Sequence, residues 1–368
     1  MRRTELMARA AKPAVRVLAR LPRPLLRRLV GPPPPQAPDL EPEAWALARF
    51  SERSPLPPIE SLPVAVARRL FAAQVASVSR PLGLPVATLE REVQGAEGLL
   101  PARLYIPRSA PARGPLLVYF HGGGFVLGSI ETHDRPLRLL AHASGVKILS
   151  VDYRLAPEHP FPAPLEDAVA AFEHVAENAS EFGASAELVA VGGDSAGGTL
   201  AAAVCQELRR RGGRLPCFQL LIYPATDLAE ALPSRRTFAR GFILTQQEMD
   251  WFADQYVPDV ESRRSPRVSP LREPDLRGLP RAHVATAVAD PLRDEGEEYA
   301  RRLRAAGVPV STYRHPHLHG FLNMTALPAA RTAVWQLGGA LAHGVAFAEG
   351  SLEGKDAPEG EGAVAGAP

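Results

Sequence analysis

The serine at position 195 is the residue whose surroundings most clearly suggest covalent chemistry. It lies in the sequence Gly-Asp-Ser-Ala-Gly (193–197), directly after the apolar run 188–191. Leucine and valine then recur at helical spacing from 200 to 208, so the turn joins a buried strand to a helix. Such a turn strains the backbone of Ser195 and exposes its hydroxyl for nucleophilic attack. The amide of Ala196, at the start of the helix, then points towards developing negative charge.

A serine nucleophile also needs an orienting acid and a base. In chains with this strand–turn–helix motif, the acid and a histidine follow the serine in that order. Asp290 directly follows the apolar strand 282–289 and precedes a proline, so it is the predicted acid. Asp294 is the rival, but it belongs to the first turn of a helix, where an acid has the simpler role of opposing the helix dipole.

Three histidines follow the last predicted strand and compete for the role of base: His315, His317 and His319. In an extended chain, His317 and His319 would point the same way, so alternation does not choose between them. Gly320 allows a sharp turn directly after His319, which would bring that imidazole to a loop tip above the sheet. The spacing therefore favours His319, with the other two histidines as alternatives.

A second glycine-rich segment, His-Gly-Gly-Gly-Phe (121–125), directly follows the apolar strand 116–120. Three consecutive glycines allow backbone amides to approach a substrate without interference from Cβ atoms. A phosphate-binding role is disfavoured, because the segment has neither the G-x-G-x-x-G spacing nor a following lysine. His121 is interpreted as a structural hydrogen-bonding residue and not as a base.

The composition excludes several classes of function. The formal net charge is +2 over 368 residues, so no global charge favours binding of nucleic acid. Two cysteines, Cys205 and Cys217, do not make a disulfide framework, and buried thiols in a reducing compartment are expected. No cluster suggests a metal site, and no cofactor is expected.

Strands and helices alternate through most of the chain, which predicts an α/β fold with a mostly parallel sheet and helices on both faces. The sequence contains many continuous apolar runs, which are typical of strands buried on both faces of a sheet. The predicted strands are 89–93, 102–106, 116–120, 146–151, 188–191, 218–223, 282–289 and 309–313.

The remaining segments predict the domain organisation. Residues 1–42 form a basic, proline-rich extension, in which 31–38 is expected to be a stiff, extended linker. Residues 43–88 are expected to supply short cap helices, at 43–51 and 64–77. Residues 89–348 form the catalytic domain, interrupted by an inserted helical piece at about 229–270. The tail, 349–368, lacks periodicity and is expected to be disordered.

The first thirty residues contain nine Lys or Arg residues against one acid, Glu5, with apolar residues between the charges. No apolar run approaches the length of a signal core or a membrane span. The segment 1–30 could bind weakly to an anionic membrane surface, or it could simply be a solvated extension. The chain is expected to be cytoplasmic or peripherally bound to a membrane.

Together these motifs resemble the hormone-sensitive-lipase family of α/β-hydrolases, the bacterial carboxylesterases. Five segments carry the resemblance, appear in family order and cover about 89–341. They are His-Gly-Gly-Gly-Phe (121–125), Asp-Tyr-Arg-Leu-Ala-Pro-Glu (152–158), Gly-Asp-Ser-Ala-Gly-Gly (193–198), Asp-Pro-Leu-Arg-Asp-Glu (290–295) and His-Gly-Phe (319–321).

The resemblance implies an α/β-hydrolase fold of about eight strands with a helical cap. It implies Ser195 as nucleophile, His319 as base and Asp290 as its orienting acid. The amides of Gly123, Gly124 and Ala196 would form the oxyanion hole, with Gly122 as a substitute donor.

The expected activity is therefore hydrolysis of carboxylic esters, of short to medium acyl chains, through an acyl-enzyme. An amidase or deacetylase would use the same triad and is the first alternative. A ligand-binding relative without activity is the second, and the presence of His319 argues against it. The expected partner is a small-molecule ester, and the sequence does not indicate an oligomeric state.

Overall fold

The computed structural model describes residues 21–353 of the 368-residue chain, and side chains as far as residue 350. The strands are β1 Val86–Gln94, β2 Leu99–Pro107, β3 Gly114–Phe120, β4 Lys147–Val151, β5 Ala184–Asp194, β6 Gln219–Ile222, β7 Ala282–Ala289 and β8 Val310–Leu318. The helices are α1 Arg23–Val30, α2 Pro42–Glu52, α3 Val64–Val78, α4 Ile130–Ser144, α5 Ala163–Glu177, α6 Ala196–Arg211, α7 Pro233–Thr237, α8 Gln246–Tyr256, α9 Arg293–Ala305 and α10 Pro328–Glu353.

The eight strands form one sheet in the order β1-β2-β4-β3-β5-β6-β7-β8. The pairs β1–β2 and β2–β4 are antiparallel, and every pair from β4–β3 to β7–β8 is parallel. The expected mostly parallel sheet of about eight strands is confirmed. The carboxyl ends of the parallel strands therefore meet along one edge, where such sheets bind their ligands.

Helices cover both faces of the sheet, as the apolar strands require. Alternate residues of β3 show this division: Val118 belongs to the core shared with α5, α6 and α9, and Tyr119 to the core shared with α4 and α10. Both side chains are fully buried. Because neither face of β3 meets water, its sequence is a continuous apolar run without polar alternation.

Helices are present in both regions expected to form a cap. α2 and α3 lie within a residue or two of the bounds expected from the sequence, and the insertion at 229–270 contains α7 and α8. α8 begins at a capping box, in which the Thr245 hydroxyl accepts from the Glu248 amide and the Glu248 carboxylate accepts from the Thr245 amide.

The expected extended linker at 31–38 is wrong. The amide of Ala37 donates to the carbonyl of Pro34 at 2.9 Å, and that of Leu40 donates to Ala37 at 3.1 Å, so the segment turns twice. Both Ala37 and Leu40 are fully buried against the core that contains Phe238 and Leu318. Burial of these two side chains outweighs the preference of proline for extended backbone.

The two ends of the chain are only partly described. Within the basic extension, residues 23–30 are helical, and residues 1–20 lie outside the described part of the chain. The expected disorder from 349 is wrong for 349–353, which belong to α10, while 354–368 lie outside the described residues. Cys205 and Cys217 are free thiols, the first buried and the second half-buried.

Candidate active site

Ser195 lies at the sharp turn between β5, which ends at Asp194, and α6, which begins at Ala196. Its φ angle is +53°, in the left-handed region that residues with a side chain rarely adopt. Such a conformation costs about 1–3 kcal/mol and persists only where the surrounding structure holds it.

Two glycines hold the turn in place. A Cβ atom at Gly193 or at Gly197 would overlap the carbonyl oxygen of Phe120, the last residue of β3. Only glycine at both positions lets β5 and α6 pack this closely against β3. The Gly-x-Ser-x-Gly pattern is therefore a steric requirement of the strand–turn–helix junction.

The imidazole of His319 lies between Ser195 and Asp290. Its Nε2 is 3.0 Å from the Ser195 hydroxyl oxygen, and its Nδ1 is 2.8 Å from Oδ2 of Asp290. Asp290 is fully buried at the end of β7, and its Oδ1 accepts a hydrogen bond from the Leu292 amide at 2.8 Å. The carboxylate is thus held on one side by the backbone and on the other by the histidine.

The rival residues do not reach the serine. The ring of His317 packs against Phe321, and burial lowers the pKa of His317 to about 4. The ring of His315 lies between those of Tyr313 and Phe321. Asp294 pairs with Arg293 and accepts a hydrogen bond from the Ser234 amide. Of the candidate residues, only His319 lies within hydrogen-bonding distance of Ser195, and only Asp290 lies within hydrogen-bonding distance of His319.

The glycine loop after β3 lies beside the serine. Gly123 and Gly124 have φ angles of +128° and +62°, and both line the same cavity as Ser195. Their amides and that of Ala196 donate no hydrogen bond to any atom of residues 21–353, so all three remain available to a substrate oxygen. The amide of Gly122 instead donates to Oδ1 of Asp194 at 2.8 Å, so this N–H is already used.

Asp194 supports the glycine loop, a role that the sequence did not predict. Its buried carboxylate accepts hydrogen bonds from the Tyr119 hydroxyl at 2.7 Å and the Gly122 amide, and it lies 3.2 Å from Nε2 of His133. Burial alone would raise the pKa of Asp194, but His133 and these hydrogen bonds hold it below its usual value. The sequence feature that indicates a buried role for Asp194 is its position as an acid in an otherwise apolar and glycine-rich turn.

His121 has the structural role expected from the sequence. Its Nδ1 is 2.9 Å from the Gly122 carbonyl oxygen, and its ring stacks on Tyr153 at a centroid distance of 4.5 Å. Burial lowers the pKa of His121 to about 4, so the ring is neutral near pH 7. Among residues 21–353, no group of three or more His, Cys, Asp or Glu side chains is arranged to hold a metal ion.

The serine, the histidine and the glycine loop open into one cavity of about 310 Å³. Its far walls come mainly from α2, α3 and α8, the helices of the expected cap. The apolar residues of these walls include Leu47, Phe50, Phe71, Val75, Met249 and Phe252. The chemical groups thus come from the edge of the sheet, and most of the apolar surface comes from the added helices.

Comparison with known proteins identifies the family and the fold. A family model described as alpha/beta hydrolase fold matches residues 117–323. The carboxylic ester hydrolase LipN of Mycobacterium tuberculosis is 48% identical over 68% of this chain and 66% of LipN. The ethyl acetate hydrolase of Pseudomonas putida is 37% identical over 73% of this chain and 86% of its own length. An ester hydrolase from the metagenome of Lake Arreo superposes with a TM-score of 0.77, at 41% identity, over 85% of this chain and 99% of the other.

The chain belongs to the hormone-sensitive-lipase-like family of α/β-hydrolases. The fold expected from the resemblance is confirmed, and so is the class of activity: the protein is a carboxylic ester hydrolase. In this family member, no helix of the described residues is both long enough and apolar enough to cross a bilayer.

Substitution of Gly123 by alanine tests the glycine loop of this α/β-hydrolase. The new Cβ would overlap the carbonyl of Leu127, so the loop must shift and its amides must move away from the reacting oxygen. Loss of one such donor costs about 10²–10³ in rate. We expect kcat to fall by that factor for every acyl length.

The matched control is Gly339→Ala, at a helical glycine whose Cβ would meet no atom within 4 Å. If Gly123→Ala changed the acyl-chain preference while sparing kcat for the best substrate, the loop would be a specificity element.

Proposed function

We propose that Ser195, His319 and Asp290 are the catalytic triad of this carboxylesterase. The single observation that carries the proposal is the chain of two hydrogen-bonding contacts, 3.0 Å from Ser195 to His319 and 2.8 Å from His319 to Asp290. His319 takes the hydroxyl proton as the Ser195 oxygen attacks the ester carbonyl. Asp290 stabilises the resulting imidazolium and fixes its orientation.

The amides of Gly123, Gly124 and Ala196 bind the oxyanion that forms in this step. Ala196 adds the partial positive charge at the start of α6, which is 16 residues long. These donors are held in place before the reaction, so they stabilise the developing charge without having to reorganise.

The tetrahedral intermediate then collapses. His319 returns its proton to the leaving alcohol, and the acyl group stays on Ser195. Water enters, His319 removes a proton from it, and a second tetrahedral intermediate releases the acid and the free serine. An amide substrate would follow the same steps, with protonation of a poorer leaving group by the same histidine.

We also propose that the acyl chains are short to medium in length. The cavity of about 310 Å³ lies at the lower end of the range for small-molecule sites. Phe71 of α3 and Phe252 of α8 belong to its apolar walls. Replacement of either ring by a small side chain would lengthen the space available to the acyl chain.

We further propose a weak contact between residues 1–30 and an anionic membrane surface. Support comes from α1, which exposes Leu25 and Leu29 and carries Arg27 and Arg28 in its last turn. Apolar side chains beside cations are the combination that binds to anionic interfaces.

The first test of the triad compares neighbouring histidines. Ser195→Ala and His319→Ala should each lower kcat for ethyl butyrate by at least about 10³, since triad members act as a unit. His317→Ala should keep kcat within about tenfold, because the base remains and positioning by Asp290 is unaffected. Thermal melting of all three variants checks that they are folded. A folded His317→Ala without activity would show that the base has been misassigned.

The second test concerns the cap. Phe71→Ala should shift the maximum of kcat/KM towards longer acyl chains across a series of ethyl esters, because it enlarges the cavity without touching the reacting groups. Leu89→Ala is the control, since Leu89 is exposed on β1 and outside the cavity. Identical chain-length profiles for Phe71→Ala and the wild type would remove Phe71 from substrate selection.

The third test concerns the membrane surface. Leu29→Glu should weaken binding to phosphatidylserine vesicles at low salt by about tenfold, because it removes an apolar contact and adds a repulsive charge. Leu99→Glu is the matched control, at a leucine of similar exposure on β2. Equal binding of both variants in a vesicle sedimentation assay would make the segment a solvated extension.

A further inference from the structure

Three charged side chains line one part of the cavity that contains Ser195. They are Asp227 on the loop after β6, Arg235 on α7 and Glu295 on α9. All three are buried, with 4%, 7% and 0% of their surfaces exposed. Charged groups are rarely this deeply buried unless they are paired, so the charge balance of this group is informative.

The side chain of Asp227 is directed to partners other than Arg235. Its Oδ1 accepts hydrogen bonds from the amides of Ala229 and Glu230 at 2.8 and 3.1 Å. Both of its carboxylate oxygens lie 3.0 Å from the guanidinium of Arg272. Arg272 also lies 3.0 Å from a carboxylate oxygen of Glu230, and among the described residues Arg235 contacts Asp227 only at its backbone carbonyl.

Glu295 makes no direct ion pair with Arg235 either. Its Oε1 accepts a hydrogen bond from the Asp227 amide at 3.3 Å, while Oε2 is buried with no hydrogen-bond partner among residues 21–353. Burial raises the pKa of Glu295 to about 8, although the charge of Arg235 acts in the opposite direction. Burial therefore disfavours the charged form of this carboxyl group.

Arg235 is left as a buried cation with most of its donors unused. Its Nη1 makes one long contact of 3.4 Å, to the carbonyl of Asp227. Its Nε has no partner, and no carboxylate of the described residues lies within 4.0 Å of its nitrogens. A guanidinium carries five N–H donors in a planar fork that matches a carboxylate. A buried charge without a counter-charge is unfavourable unless something else supplies one.

We propose that Arg235 binds a carboxylate carried by the ester substrate, so that the preferred substrates are esters with a free carboxylate at one end. The inference rests on the proposed function, because the ester group must then lie at Ser195. The carboxylate of the substrate would supply a paired negative charge and acceptor oxygens, which Arg235 lacks among the described residues. No covalent bond to Arg235 forms or breaks, and the role of Arg235 is to select and orient the substrate.

The carboxylate could belong to the acyl or to the alcohol part of the ester, and matched substrates separate the two. In the acyl arm, the monoethyl esters of succinate, glutarate and adipate are compared with ethyl butyrate, valerate and hexanoate, which have the same chain lengths. In the alcohol arm, the butyrate ester of glycolate is compared with ethyl butyrate. Release of acid is followed in a pH-stat, and kcat/KM is measured for each member.

In at least one arm the wild type should hydrolyse the charged ester with a kcat/KM no lower than that of its neutral partner. Arg235→Met should lower kcat/KM for that charged ester by about 10- to 100-fold, the range for a lost charge-assisted hydrogen bond. It should leave the neutral partner within about threefold. Arg235→Lys, which keeps the charge without the planar fork, should give an intermediate loss.

Arg236→Met is the matched control, because it removes the same charge from an exposed neighbour on α7. It should leave the ratio of charged to neutral kcat/KM unchanged. Equal ratios for Arg235→Met and Arg236→Met would overturn the proposal, and Arg235 would then be a structural partner of Glu295. Neutral ester hydrolysis reports separately on the triad, so loss of selectivity and loss of the proposed function are distinguishable.

A measurement on the wild type alone covers the case in which Arg235→Met does not fold. Succinate should inhibit ethyl butyrate hydrolysis competitively, and succinamide, which has the same size but no charge, should inhibit at least tenfold more weakly. Equal inhibition by the two compounds, or none by either, would contradict a carboxylate site in the cavity.

Discussion

The close approach of the carbonyl of Phe120 to the turn around Ser195 is the contact on which the site depends. A Cβ atom at Gly193 or at Gly197 would occupy the same space as this oxygen. The approach allows α6 to follow directly after the serine and keeps the serine in its strained conformation. Because Phe120 ends β3, the same contact also brings the start of the glycine loop to the nucleophile. One steric constraint therefore positions both Ser195 and the glycine loop.

The carboxylate of Asp194 adds an electrostatic connection to this steric one. It accepts hydrogen bonds from the Gly122 amide of the loop and from the Tyr119 hydroxyl of β3, and His133 of α4 lies beside it. The loop is thus bonded to the residue that precedes the nucleophile. A buried carboxylate with fewer partners would be strongly unfavourable, so the network favours one arrangement of the loop. That arrangement leaves the next two amides of the loop free for the substrate.

The sequence was sufficient for the sheet and for the turn, because both follow from local patterns. Continuous apolar runs identify strands buried on both faces, and the glycines identify the close approach. The turn at Gly320 favoured His319 over His317, but the orientation of the two rings depends on the fold, which turns His317 towards Phe321 and His319 towards Ser195. Arg235 could not be distinguished from Arg236 by any local pattern, because burial of one and exposure of the other depend on how α7 packs.

The packing of α7 connects Arg235 to the segment that carries Asp290. The Ser234 hydroxyl donates to the carbonyl of Pro291 at 2.8 Å, and the Ser234 amide donates to Asp294 at 2.8 Å. Both acceptors lie on the segment that follows β7 and begins with Asp290. The helix that carries Arg235 is therefore fixed to the loop that carries Asp290. A substrate group held at Arg235 would be positioned relative to Asp290 through two hydrogen bonds and a short stretch of backbone.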